Sequence, residues 1–486
     1  MKPIQCALLT MLLFLTSLIP VKAQDSTAFT YRLLLDFPVL DYPYLKYAAE
    51  MSANKRSGEA AGSGTPTNFS DYLRGFESPS MHQALAITKD VHDATNYYFN
   101  NKLWDKWIKP NTPKNKIINR IAANASAGAI DVVLSYQVML FSPVWLHEEF
   151  HRNGMTISGI ASHDDVYNRI DGGIASGSVT MVKDEDLINW KSNTPQEMVR
   201  SFEAGVESEY LLLRNMQMDN FFSRTNYPSV VMSILLTNHG VNYVNQFRKP
   251  DYDISIDTMN KYDVHQQDRD FVGWDFTPWV YDLFRPDEAY EARALHPAGD
   301  GIERPIKVAD LTGEEYDYLT HMGRLQYLNF ISPFLIGVNR IKLNDHTAFN
   351  FAVRHYLTSF GQDATVDFML NRNNKNWMLS LHAYQNKDGF FPGIEIGNPS
   401  LRLPVKSKNW EVTTRGMLWL QPDGQEFYTT KAQPGGLLQL RVGIPFGKTF
   451  SAYAETEAKT AGWVAGNPYL RSNVTMRMGF KLDIRN

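Results

Sequence analysis

The chain has 486 residues, with 48 Lys and Arg against 52 Asp and Glu and a formal net charge of −4. That balance gives no reason to expect nucleic acid as a partner, and the length is enough for two domains, each with a core of its own. A single cysteine, Cys6, excludes a disulfide framework.

Residues 1–23, MKPIQCALLTMLLFLTSLIPVKA, place a lysine near the start, then an apolar run, then Ala23. This is the pattern of a secretory signal peptide, so the expected location is the outer membrane or periplasm of a Gram-negative-type envelope. Cys6 lies inside that leader without a lipobox before it, and loss of Lys2 and Lys22 would take the formal charge from −4 to −6. Residues 24–67 read as an extended region that ends in a flexible loop, Ser57 to Thr67, SGEAAGSGTPT.

From residue 68 to 340 the hydrophobic period is helical, beginning with MHQALAITKDVHDATNYYFNNKLWDKW. Ile121 to Leu146 is long enough to span a bilayer, but Asn124, Asp131, Gln137 and the start signal Ser142-Pro143 favour a buried Ala/Gly-rich helix, a break, and a second helix. Ser142 can cap that second helix and Pro143 suits its first position. Val144, Leu146 and Phe150 supply an apolar face, and Gly154 offers a stop.

Within this helix His147-Glu148-Glu149-Phe150-His151 fits H-E-x-x-H. Residues four apart lie on one helical face, so both imidazoles can reach one ion, while Glu148 is turned by about 100° from His147. A carboxylate placed there can take a proton from an attacking water.

The segment resembles the active-site helix of the zincin metallopeptidases, a superfamily of zinc hydrolases with H-E-x-x-H on a helix. The resemblance implies Zn²⁺ held by His147 and His151, Glu148 as catalytic base, and a peptide or protein substrate. The metzincin continuation is matched at Gly154 but has Ile157 where its last histidine would stand. A gluzincin arrangement, with a glutamate from a later helix as third ligand, is then the expectation. The next long helical pattern, TPQEMVRSFEAGVESEYLLLRNMQMDNFF, begins at Thr194-Pro195 and carries Glu203 and Glu207 one turn apart beside Ala204-Gly205. Small residues let two helices approach, which favours Glu207 as the ligand; Glu203 is the alternative, since in the gluzincin pattern E-x-x-x-D the first acid binds metal. His239, in LLTNHGVNY, is a candidate hydrogen-bond donor to the oxyanion, with a packed core histidine as the plainer reading.

After residue 340 the period becomes two. TAFNFAVRHYLTSF, DATVDFMLN, WMLSLHAYQN, WEVTTRGMLWLQP, GGLLQLRVGIPF, TFSAYAETEAK and NVTMRMGFKLDI are separated by Asn, Asp, Gly and Pro turns. Residues 341–486 are therefore expected to form an antiparallel β-barrel or barrel-like sheet, and the whole chain an α+β protein with a helical metal-binding domain at 68–340. The strands resemble those of outer-membrane barrels, provided that Arg354 and Glu455 point inward and despite the terminal DIRN; a soluble sandwich or small barrel is the alternative. Two functions follow: a zinc metallopeptidase of the cell envelope, or an outer-membrane structural or transport protein whose metal site is not catalytic.

Overall fold

The computed structural model describes residues 32–59, 78–99, 125, 128–134, 141–166, 177–225, 229–406 and 408–485. The expected leader, residues 60–67 of the expected loop and most of the 121–140 stretch lie outside the described residues. Among the described residues, no helix is long and apolar enough to cross a membrane.

Strand β1 (Arg32–Tyr42) is followed by helices α1 (Tyr44–Glu59), α2 (Met81–Tyr97) and α3 (Pro143–Ile157), the short strands β2 (His163–Asp164) and β3 (Val179–Thr180), and helices α4 (Asp184–Asn193) and α5 (Pro195–Met218). Helices α6 (Val230–Val244), α7 (Tyr252–Tyr262), α8 (Phe276–Phe284) and α9 (Gly313–Leu325) complete the helical region. Then come β4 (Ile341–Asn344), β5 (Thr347–Thr358), β6 (Gly361–Arg372), β7 (Lys375–Gln385), β8 (Phe390–Val405), β9 (Lys408–Pro422), β10 (Ala432–Pro445), β11 (Phe450–Lys459) and β12 (Asn473–Arg485). The protein is α+β.

Helix α3 starts as its sequence requires: the Ser142 side chain accepts from Trp145 N, and Pro143 occupies the first turn. It does not stop at Gly154. A Cβ there would lie 3.1 Å from Cβ of Ser201, so the glycine serves a close crossing of α3 and α5 and the helix runs on to Ile157. Pro195 opens α5, but Thr194 makes no side-chain cap. Phe150 of α3 and Phe202 of α5 are fully buried at 0% exposure, a burial that contributes about 1.5–3 kcal/mol for each ring.

The long strands form one antiparallel sheet in the order β1-β12-β11-β10-β9-β8-β7-β6-β5-β4. Two expectations change here. The N-terminal extended region is itself a strand, with Phe37 opposite Phe480, so the sheet is not confined to residues 341–486. One hydrophobic cluster also runs from Met81 and Phe150 to Tyr356, Trp419 and Leu470, so helices and sheet share a core.

The sheet is not a closed barrel: β1 and β4 are its two edges. Along β1 other segments take up backbone groups. Asp90 of α2 accepts from Asp36 N, and Lys89 donates to the Leu34 carbonyl. The π-helical turn Asp219–Ser223 reaches both sides, because Arg32 donates to the Ser223 carbonyl and Arg340, just before β4, donates to the Phe221 carbonyl.

Arg354 and Glu455 do point inward. Arg354 donates to Asp367 at 2.8 Å, and Glu455 accepts from Arg441 at 2.5 Å and Arg477 at 2.6 Å. Helix α5 lies against this charged face, where Arg214 reaches Glu395 at 2.8 Å and Gln217 accepts from Arg354.

Candidate metal centre

The two motif histidines share a face of α3, with ring centroids 4.9 Å apart. Each is held through Nδ1. His147 Nδ1 lies 3.2 Å from Glu209 Oε1, and His151 Nδ1 lies 2.6 Å from the Ser201 carbonyl. Those acceptors fix a proton on each Nδ1 and turn each Nε2 toward the centre, so that loss of the Nε2 proton would present its lone pair to an ion, which is how metal-binding imidazoles are oriented.

Both Nε2 atoms then converge on one carboxylate. Asp275 Oδ2 is 3.3 Å from His147 Nε2 and 3.4 Å from His151 Nε2. His147, His151 and Asp275 are all buried, and their ligand atoms lie within 4.8 Å of one another, so this group could hold a metal ion. Burial opposes protonation of His147, yet the carboxylates of Asp275 and Glu209 hold it well above the usual imidazole range. Burial would likewise raise Asp275, but the two imidazoles bring it down to about 2.

The acid arrives by a route that no local pattern announces. Asp275 stands at the start of α8, on a loop tied down by Asp270, which accepts from Val179 N, Val272 N and Gly273 N. Gly273 is at φ +79°, the left-handed region in which a side chain would be strained.

Glu203 and Glu207 are not brought to the histidines. They lie with Arg200 on a different stripe of α5, where Arg200 donates to Glu203 at 2.8 Å and to Glu207 at 2.5 Å. Their remaining contacts go to the β11–β12 connection: Glu203 accepts from Trp463 Nε1 and Glu207 accepts from Gly466 N. The physical reason is helical phase. The close approach expected at Ala204-Gly205 is real, since a Cβ on Gly205 would overlap the His147 imidazole. But the positions sharing the face of Gly205 are those four residues away, Ser201 and Glu209, which are the two that anchor His151 and His147. Glu207 is turned by about 200° from Gly205.

Glu148 sits beside the cluster, and a Cβ on Gly177 would come within 2.5 Å of its Oε1. Burial pushes its carboxyl up to about 7. The neighbouring Glu149 is taken up by Arg152 at 2.5 Å and by Ser78, so only the first glutamate of the motif is left facing the site.

His239 is at the site as well. Its Nδ1 lies 2.8 Å from Glu209 Oε1, so one carboxylate holds both His147 and His239. Tyr243, one turn later on α6, stacks on His239 at 14° and meets the His147 ring at 5.4 Å. The His239 side chain is 52% exposed while that of Glu209 is 2% exposed, so the centre faces solvent on the α6 side. Sequence reasoning missed Asp275, Glu209 and Tyr243. The available signals were the four-residue spacings Gly205–Glu209 and His239–Tyr243; Asp275, within DRDFVGWDFTPW, had none.

Comparison with protein-family models, with curated proteins and with solved structures gives no match.

Proposed function

We propose that the protein is a zinc-dependent hydrolase of peptide bonds in which His147, His151 and Asp275 hold the ion. The carrying observation is the convergence of His147 Nε2 and His151 Nε2 on Asp275 Oδ2, with each Nδ1 separately fixed. Two imidazoles and one carboxylate suit Zn²⁺, and three protein ligands leave a position for substrate or water. A bound ion would polarise the scissile carbonyl and make water a better nucleophile.

The chain supplies the rest. Glu148, beside His147 and with its carboxyl raised to about 7, is placed to take a proton from the attacking water and return it to the leaving amine. His239 and Tyr243 stand on the open side and can donate to the oxygen on which charge develops. This replaces Glu207 and Glu203 as third-ligand candidates by Asp275 and leaves the base unchanged.

The test pairs metal analysis with cleavage of a broad peptide library, using wild type, Asp275→Ala and Glu148→Gln. Zinc at one per chain in wild type and Glu148→Gln, with cleavage only in wild type, is expected. Zinc that raises thermal stability with no cleavage by wild type would instead favour an outer-membrane structural or transport protein with a non-catalytic site.

A further inference from the structure

The sheet is built inside out for a protein in water. The inward side carries Asp367, Glu395, Glu455 and the arginines paired with them, all buried or nearly so. The outward side is apolar. Following the pairing from β5 to β9, one outward row reads Val353, Val366, Leu381, Ile394, Leu418. From β10 through β11 and β12 to β1, another reads Leu440, Thr456, Met476, Tyr42. Leu418 and Leu438 are each 69% exposed, and Met476 and Met478 are 53% and 54% exposed.

Among the described residues, charge is absent from this side except at the hairpin ends. Arg372 and Lys375 flank the β6–β7 turn, and Lys408 follows the β8–β9 turn. Between those ends and the helical region the uncharged run is about ten residues per strand, or roughly 25 Å at the tilt usual for membrane strands.

We propose that the outer face of this sheet is embedded in the hydrocarbon of a lipid bilayer. A second copy of the chain would cover one patch, whereas the apolar rows continue over nine consecutive strands. Hydrocarbon also demands that backbone groups at a sheet's margins be satisfied, and several are: α2 meets β1, the Thr225 carbonyl accepts from Arg32 N, and the Ile331 carbonyl accepts from Val353 N of β5, beyond the short strand β4.

The same geometry places the metal centre. The helical region packs on the strand ends opposite the charged hairpins: Trp279 donates to the Thr358 carbonyl, Lys387 pairs with Glu314 at 2.6 Å, and Glu203 holds Trp463. Helix α5 enters the charged interior only with its later turns, at Arg214 and Gln217, while Ser201 and Glu209 remain with the histidines. The centre therefore stands at one membrane face. This inference rests on strand register, so it holds or fails independently of the hydrolase reading.

The experiment uses the full chain in phosphatidylcholine vesicles, with an environment-sensitive dye on single cysteines in a Cys6→Ser background. Leu381→Cys, Leu418→Cys, Leu438→Cys and Met476→Cys report the sheet; Tyr262→Cys, at a position 76% exposed on α7, is the control. Acyl-chain-brominated lipid is expected to quench the four sheet positions at least threefold more than the control, and the unmodified chain is expected to float with vesicles through an alkaline wash. Equal quenching at all five positions overturns the proposal. So does protection of the four from both brominated lipid and aqueous iodide, which marks a contact between copies, and so does an unmodified chain that stays monodisperse without detergent or lipid.

Discussion

Helix α5 carries two buried charge clusters on different faces, and they differ in what each leaves unfinished. On one face Ser201 and Glu209 anchor two imidazoles whose Nε2 atoms and the Asp275 carboxylate point at a common centre. On the other, Arg200 is closed upon Glu203 and Glu207, and the carboxylates also meet Trp463 and Gly466. Both acids of the second cluster have the spacing of metal ligands. One guanidinium is shared between them, with burial and the neighbouring Glu207 holding Glu203 well above the usual carboxylate range, and among the described residues no imidazole reaches them. Spacing on a helix therefore makes a pair of acids available, but a fixed cation beside them decides that they act as a joint between helix and sheet.

The contrast breaks most visibly at the metal. Asp275→Ala is expected to abolish stoichiometric zinc binding, while Glu207→Ala keeps it; equilibrium dialysis of both variants against wild type settles which acid is the ligand, and the opposite pattern would return the role to Glu207.

Next in size is the base. Glu148→Gln should hold zinc as wild type does and lose about 10²–10⁴-fold in peptide hydrolysis, measured as kcat/KM on any substrate the library yields. Retained turnover would remove Glu148 from the mechanism.

On the structural face the loss should appear as stability. Truncating Glu207 removes one of the two carboxylates paired with Arg200, itself 1% exposed, and breaking such a buried cluster costs about 3–5 kcal/mol. Chemical denaturation of Glu207→Ala with zinc bound should show that drop, and an unchanged midpoint would mean the cluster contributes nothing to the fold.

The smallest expected effect sharpens the comparison. Glu209→Gln keeps an acceptor for His147 Nδ1 and removes the charge, so zinc affinity should fall about 10 to 100-fold without emptying the site. Loss of all binding would instead mark Glu209 as a direct ligand.

Much of this arrangement was legible in the sequence because its causes are local. His147 and His151 share a face because residues four apart on a helix must, and Ser142-Pro143 starts that helix through a cap and a fixed φ. The two-residue alternation after residue 340 gave strands whose Arg354 and Glu455 turn inward, as alternation requires once one face is apolar. Even the face of α5 could have been read further, since Ser201 and Glu209 are each one turn from Gly205.

Tertiary structure alone decided the rest. Asp275 meets the histidines only because a loop pinned by Asp270 brings the start of α8 beneath α3, and nothing in the composition around Asp275 distinguishes it from the other acids of that loop. The pairing of β1 with β12 joins residues at opposite ends of the chain, and α2 lies along the free edge of β1. Local spacing sets which side chains share a face, by the geometry of a single helix or strand. Which partner that face meets depends on how distant segments pack, and packing selects among acids of equal chemistry by position.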